Sequence, residues 1–289
     1  MKKILVMGGK RLVGKRLVQN LLKEGHDVTV ANRSGISDVR KNARSLVFDR
    51  NSRESIKDRI SKQNWDVVYD MICYSPKNAK DIIENISTEK YILISSSVVY
   101  EWGEDHREED FNAEKFQYYD GTIDELGKRF GYKQGYKLGK MGAEAVVETS
   151  NSISTICVRF PIIIGGGDDH TKRMETYIDA IKKKAGLYID NLFSRFSMIE
   201  AGNAADYLIQ VKDKEYEGAI NLSDSGIMTM HELIQIMQNM LGNEIVYRAD
   251  GMPAGYNGYF SNTYNLDKME TIGIIPQKLD IKKVLEQII

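Results

Sequence analysis

Short apolar runs alternate with helix-like segments over the first 160 residues, and this alternation limits the possible folds more than any other feature. The strands predicted from these runs lie at 4–7, 28–31, 45–48, 66–70, 91–95 and 154–159. Between the first two, Leu17 and Leu21 belong to an apolar stripe with helical spacing over 12–24. Apolar strands that alternate with helices form parallel sheets covered on both faces. We therefore predict the α/β class, with a doubly wound parallel sheet and ligand sites at the carboxyl ends of its strands.

The regular pattern ends near Pro161, which indicates a second, smaller unit. A flexible glycine turn follows at 165–167, and later segments predict a helix near 204–211, a strand near 219–222 and helices at 229–241 and from about 280. Thr229 with Glu232 forms a capping box for one of these helices. We predict a first domain over 1–164, with 196–214 packing back on it. Residues 165–195 and 215–289 would form a smaller α/β C-terminal lobe.

Composition excludes several classes of protein. A net charge of −1 gives no strong field, so binding to nucleic acid or to an anionic membrane is not expected. Cys73 and Cys157 lie in apolar surroundings and predict buried thiols, and no His/Cys spacing suggests a metal site. No segment approaches the roughly 18 apolar residues of a membrane span. The expected location is cytoplasmic.

A glycine turn joins the first strand to the first helix. Gly8, Gly9 and Gly14 surround Arg11, which stands where a third glycine would complete a Gly-x-x-Gly-x-x-Gly loop. A turn at this position places a helix N-terminus against a dinucleotide pyrophosphate. The alternative is a tight strand–helix connection without a ligand. The position of the turn favours dinucleotide binding.

The ends of the second and third strands bear on the choice of cofactor. Asn32 and Arg33 end the second strand, where an arginine pairs with the 2′-phosphate of NADP and a carboxylate would bind the ribose of NAD. Arg33 therefore favours NADP over NAD, unless it is only a solvated loop residue. Asp49 and Arg50 follow the third strand near the expected adenine end. Asp49 either accepts a hydrogen bond from the adenine amino group or caps the next helix.

Tyr136 and Lys140 lie four residues apart in a segment that predicts a helix, so they share one face. A lysine ammonium beside a phenol lowers the pKa of the phenol from about 10 towards neutrality. Such a phenol can exchange a proton with a substrate hydroxyl near pH 7. The pair therefore predicts a general acid/base.

Four segments together resemble the extended short-chain dehydrogenase/reductase family, in its NAD(P)-dependent epimerase/dehydratase branch. They are the glycine turn at 7–14, the Ser-Ser-Ser-Val-Val-Tyr segment at 95–100, Tyr136 to Lys140 with Glu144, and the Arg-Phe-Pro-Ile-Ile-Ile-Gly segment at 159–165. Arg11 departs from the family pattern. This substitution resembles the one in a side branch of the family that contains the chloroplast stem-loop-binding proteins.

The resemblance implies a Rossmann domain with a C-terminal substrate lobe, and a homodimer formed through the helices around 77–86 and 136–149. It implies an NAD(P)-dependent epimerase or reductase that acts on a secondary alcohol or ketone, with a nucleotide sugar as the expected substrate. The implied catalytic residues are Ser96, Tyr136 and Lys140. The implied cofactor-binding residues are Gly8, Gly9, Arg11, Leu12, Val13, Gly14, Asn32, Arg33, Asp49, Arg50, Tyr136, Lys140 and Phe160.

Several departures refine this expectation. Ser97 and Val98 replace the Asp-Glu pair of the sugar 4,6-dehydratases, which leaves an epimerase or a reductase. Gly139 replaces a small hydroxyl residue and suggests a close approach of the cofactor. Arg195 is the best candidate to bind a substrate pyrophosphate, unless it is a surface charge.

The acidic segment 101–110 is expected to be a solvated loop, although Trp102 could cover a ligand. The alternative function is a non-redox relative that senses a cofactor or binds RNA while keeping the fold. Arg11 favours that alternative, whereas the presence of Ser96, Tyr136 and Lys140 opposes it.

Overall fold

The computed structural model describes residues 1–35, 42–150, 152–169 and 171–289. Its strands, in chain order, are β1 (Lys3–Met7), β2 (Asp27–Asn32), β3 (Arg44–Val47), β4 (Asn64–Asp70), β5 (Ser87–Ser96), β6 (Gly103–His106), β7 (Ser154–Phe160), β8 (Ile162–Ile164), β9 (Gly186–Tyr188), β10 (Arg195–Glu200), β11 (Gly218–Asn221), β12 (Ile227–Thr229), β13 (Val246–Tyr247), β14 (Met252–Pro253) and β15 (Asn262–Tyr264).

The helices, in chain order, are α1 (Leu12–Lys23), α2 (Arg53–Arg59), α3 (Pro76–Ile83), α4 (Ile123–Phe130), α5 (Tyr132–Glu148), α6 (Arg173–Lys183), α7 (Ala201–Val211), α8 (Met230–Leu241), α9 (Asp267–Thr271) and α10 (Ile281–Glu286). Short 3-10 helices cover Ser97–Val99 and Glu108–Asp110. The capping box of Thr229 and Glu232 forms as predicted at the start of α8.

The first domain is built on a parallel sheet with the strand order β3-β2-β1-β4-β5-β7-β11. Ile4 of β1 lies beside Val28 on one side and Val67 on the other, in parallel register. Helices α1 and α7 pack together, as do α3 and α5, and the sheet has a separate hydrophobic core on each face. The predicted doubly wound fold is confirmed. Strand order reverses between β1 and β4, which places the expected ligand crevice at their carboxyl ends.

The C-terminal part contains a sheet in the order β12-β10-β15-β6, a small β13-β9-β14 sheet and its own core around Phe196 and Leu233. The residues at 201–211 pack on α1, in the first domain. Strand β11 fell within the range predicted for the second lobe, but Ile220 pairs with Val158 at the edge of the large sheet. Residues around Met269 and Ile274 also join the core of the first domain.

The acidic segment at 101–110 is not the solvated loop that its charge suggests. Strand β6 pairs with β15, and the side chains of His106 and Glu108 are buried. A carboxylate oxygen of Glu108 accepts a hydrogen bond from the backbone N–H of Asn221. The segment therefore joins the second lobe to the edge of the large sheet. Among the helices described, none combines the length and apolar character needed to cross a membrane.

Candidate active site

The glycine turn fits closely between β1 and α1. Gly8 and Gly9 have φ of +107° and +75°, values that disfavour any residue with a Cβ. A Cβ on Gly14 would lie 2.8 Å from the Cα of Gly9. Arg11 is the exposed N-cap residue of α1 and makes no side-chain capping bond, so its side chain does not occupy the first-turn N–H groups. The turn is therefore shaped to bring backbone against an anion.

Leu12 and Val13 open the first turn of α1. Leu12 has φ of +43°, in the left-handed region, which is costly for a residue with a side chain. Val13 is buried in the core between α1 and the sheet. Their side chains therefore serve packing, and what they could offer a dinucleotide is backbone N–H.

Asn32 ends β2 beside the glycine turn and has an unused donor. Its side-chain oxygen accepts a hydrogen bond from the N–H of Ser34 at 3.1 Å. Its Nδ2 is buried and has no hydrogen-bond partner among the residues described. A buried amide N–H without an acceptor is costly. The residues fit the adenosine half of a dinucleotide, since a ribose hydroxyl would satisfy this donor, and the neighbouring Arg33 is exposed.

Asp49 is exposed and accepts a hydrogen bond from the N–H of Asn51 at 3.0 Å. Ser52, not Asp49, caps α2, because its side chain accepts from the N–H of Ser55. The Asp49 carboxylate is thus accessible beside β3 and could still accept from an adenine.

Arg50 and Phe160, which were predicted to bind the cofactor, have structural contacts. The guanidinium of Arg50 is buried and donates to both carboxylate oxygens of Asp70, at 2.7 and 2.9 Å. Phe160 is buried in the core shared by the sheet, α1 and α7. A desolvated arginine with a bidentate partner has few donors left for a ligand. Both side chains are therefore engaged within the protein, and their role in binding the cofactor stays a prediction.

The three consecutive serines after β5 have different partners. The Ser95 hydroxyl donates to the buried carboxylate of Glu144. The Ser97 hydroxyl lies close enough to the Tyr264 phenol to lower its pKa. The Ser96 hydroxyl accepts a hydrogen bond from the N–H of Val98 at 3.4 Å and lies close enough to the Tyr136 phenol to lower its pKa. Of the three, Ser96 is therefore the one placed with Tyr136.

Lys140 lies on the same helix as Tyr136 but is bound to backbone carbonyls. Its ammonium donates to the oxygens of Cys73 and Ile94, at 2.8 and 2.9 Å, and lies 4.7 Å from the centre of the Tyr74 ring. Burial raises the pKa of Tyr136 to about 12, the phenols of Tyr259 and Tyr132 add to the increase, and Arg173 and Ser96 oppose it. The expected lowering of the Tyr136 pKa towards neutrality is not found, because burial of the phenol outweighs the groups that oppose it.

Gly139 allows a close approach, but of the protein backbone. A Cβ at this position would lie 2.3 Å from the carbonyl oxygen of Tyr74. A Cβ on Gly142 would similarly lie 2.4 Å from Pro76 Cγ. The loop after β4 packs directly on α5 at Gly139, and this contact accounts for the glycine without a cofactor. This packing places Tyr74 beside Tyr136, with the centres of the two rings 6.3 Å apart.

Arg159 organises a buried polar network behind Ser96. It donates to Glu144 at 2.7 Å, to the hydroxyl of Tyr100 at 2.9 Å and to the backbone oxygen of Glu108 at 2.7 Å. The network ties the segment after β5 to α5 and so holds Ser96 in place. Ligand atoms of Glu144, Glu148 and Cys157 lie within 4.8 Å of one another, but the charge of Arg159 opposes a cation there.

The second lobe contributes residues that motif analysis missed. Arg173 begins α6, and its guanidinium lies 5.6 Å from the ring centres of both Tyr256 and Tyr259. Arg173 lies in a polar stretch that matches no motif, so the sequence gives no indication that it belongs to the site. The aromatic residues at 256, 259 and 260 do indicate a possible ligand-facing or cation-binding cluster. Arg195, the predicted pyrophosphate residue, instead pairs with Glu104 at 2.6 Å on the surface.

The sequence profile of the NAD dependent epimerase/dehydratase family matches residues 4–221. The chain belongs to this family. A UDP-glucose 4-epimerase from Thermus thermophilus, in complex with NAD, superposes with a TM-score of 0.73 at 16% identity, and 98% of each chain is covered. A UDP-glucuronic acid 4-epimerase from Bacillus cereus, in complex with its sugar nucleotide and NAD, gives 0.73 at 15% identity, covering 98% of this chain and 96% of the other.

A curated relative is the chloroplast stem-loop binding protein of 41 kDa b from Arabidopsis thaliana. It is 33% identical over 114 residues, which cover 34% of this chain and 30% of that protein. The match therefore spans less than a third of the relative's length. Membership of the NAD dependent epimerase/dehydratase family supports an enzymatic function for this chain. The preference for NADP finds no support, since the family is described as NAD dependent and the two epimerase structures contain NAD.

Proposed function

We propose that this protein is an NAD(H)-dependent epimerase or reductase that acts on a secondary alcohol or ketone of a nucleotide sugar. The proposal is supported by the proximity of Ser96, at the carboxyl end of β5, to the phenol of Tyr136 on α5, whose pKa it lowers. These two hydroxyls lie at the edge of the sheet where α/β proteins bind ligands. The nucleotide-sugar class is supported by the epimerases that share the fold.

In this proposal the protein's residues handle the proton. A phenol with a pKa of about 12 is protonated at neutral pH, so Tyr136 starts as a proton donor to a ketone oxygen. Ser96 donates a second hydrogen bond to the same oxygen and polarises the carbonyl. In the reverse direction Tyr136 accepts the hydroxyl proton as its phenolate. A nicotinamide held beside Tyr136 would supply the hydride-transfer chemistry at the carbinol carbon.

Three parts of the first domain would bind the dinucleotide. The first turn of α1 would hold the pyrophosphate, and the free Nδ2 of Asn32 would bind the adenosine ribose. Lys140 would bind the nicotinamide ribose by exchanging one of its carbonyl acceptors for a ribose hydroxyl. We favour NAD, because a neutral amide at position 32 bonds a hydroxyl without requiring a 2′-phosphate.

Incubation of the protein and NAD⁺ with UDP-glucose, UDP-galactose or UDP-glucuronic acid, followed by proton NMR of the sugar, tests the proposal. We expect conversion of at least one of them, reduced by about 10²-fold in Ser96→Ala. Ser97→Ala is the matched control, because Ser97 contacts Tyr264 rather than Tyr136. Absence of conversion together with normal NADH binding would reject the substrate class.

RNA binding is the second candidate function, and the curated relative named as a stem-loop binding protein favours it. The exposed Arg11, with no side-chain hydrogen bond or ion pair among the residues described, is available to contact phosphate. Titration of a fluorescent RNA stem-loop at moderate salt, with Arg11→Ala as the comparison, tests this function. RNA binding without any NADH binding would replace the first proposal with the second.

We further propose a cytoplasmic homodimer, with α5 and its surroundings at the interface. Two large exposed residues, Phe130 and Tyr132, lie where α4 meets α5 and support this choice. Light scattering of wild type and Tyr132→Asp would test the interface. A monomeric wild type would reject it.

A further inference from the structure

We propose that Arg16 is a positioning residue for the dinucleotide: by joining the backbone of Leu12 to Asp168, it makes the shape of the pyrophosphate-binding turn depend on the second lobe. The inference rests on the proposed binding of the dinucleotide at the first turn of α1. It assigns a function to the linking loop, residues 165–169, which follows β8 and which the proposed reaction does not use.

Leu12 is the strained residue of the binding turn. Its φ of +43° lies in the left-handed region, which is costly for a residue with a side chain unless the surrounding structure imposes it. Leu12 is also the first residue of α1, so its backbone sets the direction of the N–H groups that would face an anion. A contact that holds Leu12 therefore also holds the turn.

The side chain of Leu12 packs against the start of the linking loop. A Cβ on Gly165 would lie 2.7 Å from Leu12 Cδ1 and 2.9 Å from the Cβ of Ala201, which begins α7. A larger residue at this position would have to displace one of these two groups. Gly165 directly follows Ile164, which lies in the core of the second lobe. The second lobe therefore reaches Leu12 by direct contact.

The carbonyl of Leu12 is held by Arg16. The Nη1 of Arg16 donates to the Leu12 oxygen at 3.1 Å and to the two carboxylate oxygens of Asp168 at 3.1 and 3.2 Å. The side chains of Arg16 and Asp168 are 25% and 28% exposed, so their ion pair is better shielded than one on the open surface. One guanidinium group thus joins α1 to the linking loop.

Asp168 is itself held within a tight turn. Its backbone N–H donates to the oxygen of Gly166 at 2.6 Å. A Cβ on Gly166 would lie 2.8 Å from Oε1 of Gln287, so the turn also packs on the residue that follows α10. These contacts fix the Asp168 carboxylate relative to the second lobe.

The charges at the start of α1 also bear on the role of Arg16. Arg11, Lys15 and Arg16 are basic and the first turn has no acidic residue, although cations near a helix N-terminus oppose the helix dipole. A bound pyrophosphate would compensate these charges. Asp168 already compensates Arg16, so Arg16 acts on the turn through its hydrogen bond to Leu12 rather than as a free charge.

Titration of NADH, followed by nicotinamide fluorescence at about 0.15 M salt, tests the inference with variants of both partners. Positioning predicts weaker binding in Arg16→Met and also in Asp168→Asn, by about three- to tenfold each, the contribution of one hydrogen bond. The double variant should bind about as well as the weaker single variant, because both substitutions break one bridge. A role as a free charge predicts tighter binding in Asp168→Asn, since removal of an anion favours pyrophosphate.

Two glycine substitutions test the same point without changing any charge. Gly165→Ala pushes against Leu12 and should weaken NADH binding by about threefold or more. Gly167→Ala is the matched control in the same loop, because a Cβ there would meet no atom of the described residues within 4 Å. NADH binding should be unchanged in this control. Together with Asp168→Asn, these variants provide the test if Arg16→Met does not fold.

Unchanged or tighter NADH binding in Arg16→Met or Asp168→Asn, with folding verified by circular dichroism, would overturn the inference. Equal effects of Gly165→Ala and Gly167→Ala would overturn it as well. Sugar conversion is measured separately: a wild type that binds NADH but converts none of the sugars rejects the proposed reaction and leaves the inference intact. A wild type that binds no dinucleotide rejects both.

Discussion

Gly139→Ala sets two opposing effects against each other within α5. Alanine favours a helix interior over glycine by roughly 1 kcal/mol, so propensity alone predicts stabilisation. The new Cβ would lie 2.3 Å from the Tyr74 oxygen, however, and a relaxed C···O contact is about 3.3 Å, so the loop must move by about 1 Å. Overpacking of this kind costs typically about 1–3 kcal/mol.

The same movement weakens the hydrogen bond from Lys140 to the Cys73 oxygen, because Cys73 precedes Tyr74 in the displaced loop. A hydrogen bond from a charged group contributes about 1.5–3 kcal/mol. The net expectation is that Gly139→Ala is less stable than wild type by about 1–3 kcal/mol, despite the gain in helix propensity.

Thermal unfolding followed by circular dichroism measures the difference, with Gly127→Ala as the matched control. Gly127 lies within α4, and a Cβ there would meet no atom within 4 Å. Gly127→Ala should therefore raise Tm by about 2 °C, and Gly139→Ala should lower it by several degrees. Equal stabilisation by the two substitutions would refute the packing of the loop on α5.

Three further outcomes are expected. Arg159→Met leaves Glu144 as a buried charge without its partner and should cost about 3–5 kcal/mol in urea unfolding, much more than the surface substitution Arg248→Met. Burial, and then the charge of Glu144, raises the pKa of Glu148 to about 7, so its folded form holds a proton that the unfolded form loses near pH 4.5. Stability should therefore fall as pH rises from about 4.5 through 7, and Glu148→Gln should flatten this dependence in a Tm–pH series. Arg33→Ala should leave the NADH affinity measured by nicotinamide fluorescence unchanged, and a clear loss would show that Arg33 takes part in binding NADH.

The large sheet could be predicted from sequence because its strands are buried on both faces. Residues 4–7 and 67–69 are apolar for that reason, and they pair in β1 and β4 as parallel neighbours. The strands of the second lobe could not be predicted in this way. Strands such as β13 and β14 have two residues each and depend on pairing with β9, so they carry no periodic signal. Helix α4 had a usable signal in its Thr122–Glu125 capping box.

In the candidate site, too, some residues could be predicted from the sequence and others could not. Ser96 and Tyr136 could be proposed from local motifs, because each lies on an element whose order and spacing are visible in the chain. The partners of Lys140 could not, because both are backbone carbonyls brought together by tertiary packing. Arg173 and Tyr259 are far apart in sequence and meet through the fold of the second lobe.

Turnover of Tyr136→Phe is the measurement that tests the central claim most directly. The substitution removes only the phenolic oxygen, so the variant should bind NADH as wild type does. Conversion of the nucleotide sugar, followed by proton NMR, should fall by about 10²- to 10⁴-fold with the loss of the acid/base. Activity within about threefold of wild type, a barrier change under about 1 kcal/mol, would contradict the assignment of Tyr136 as the proton-transferring residue.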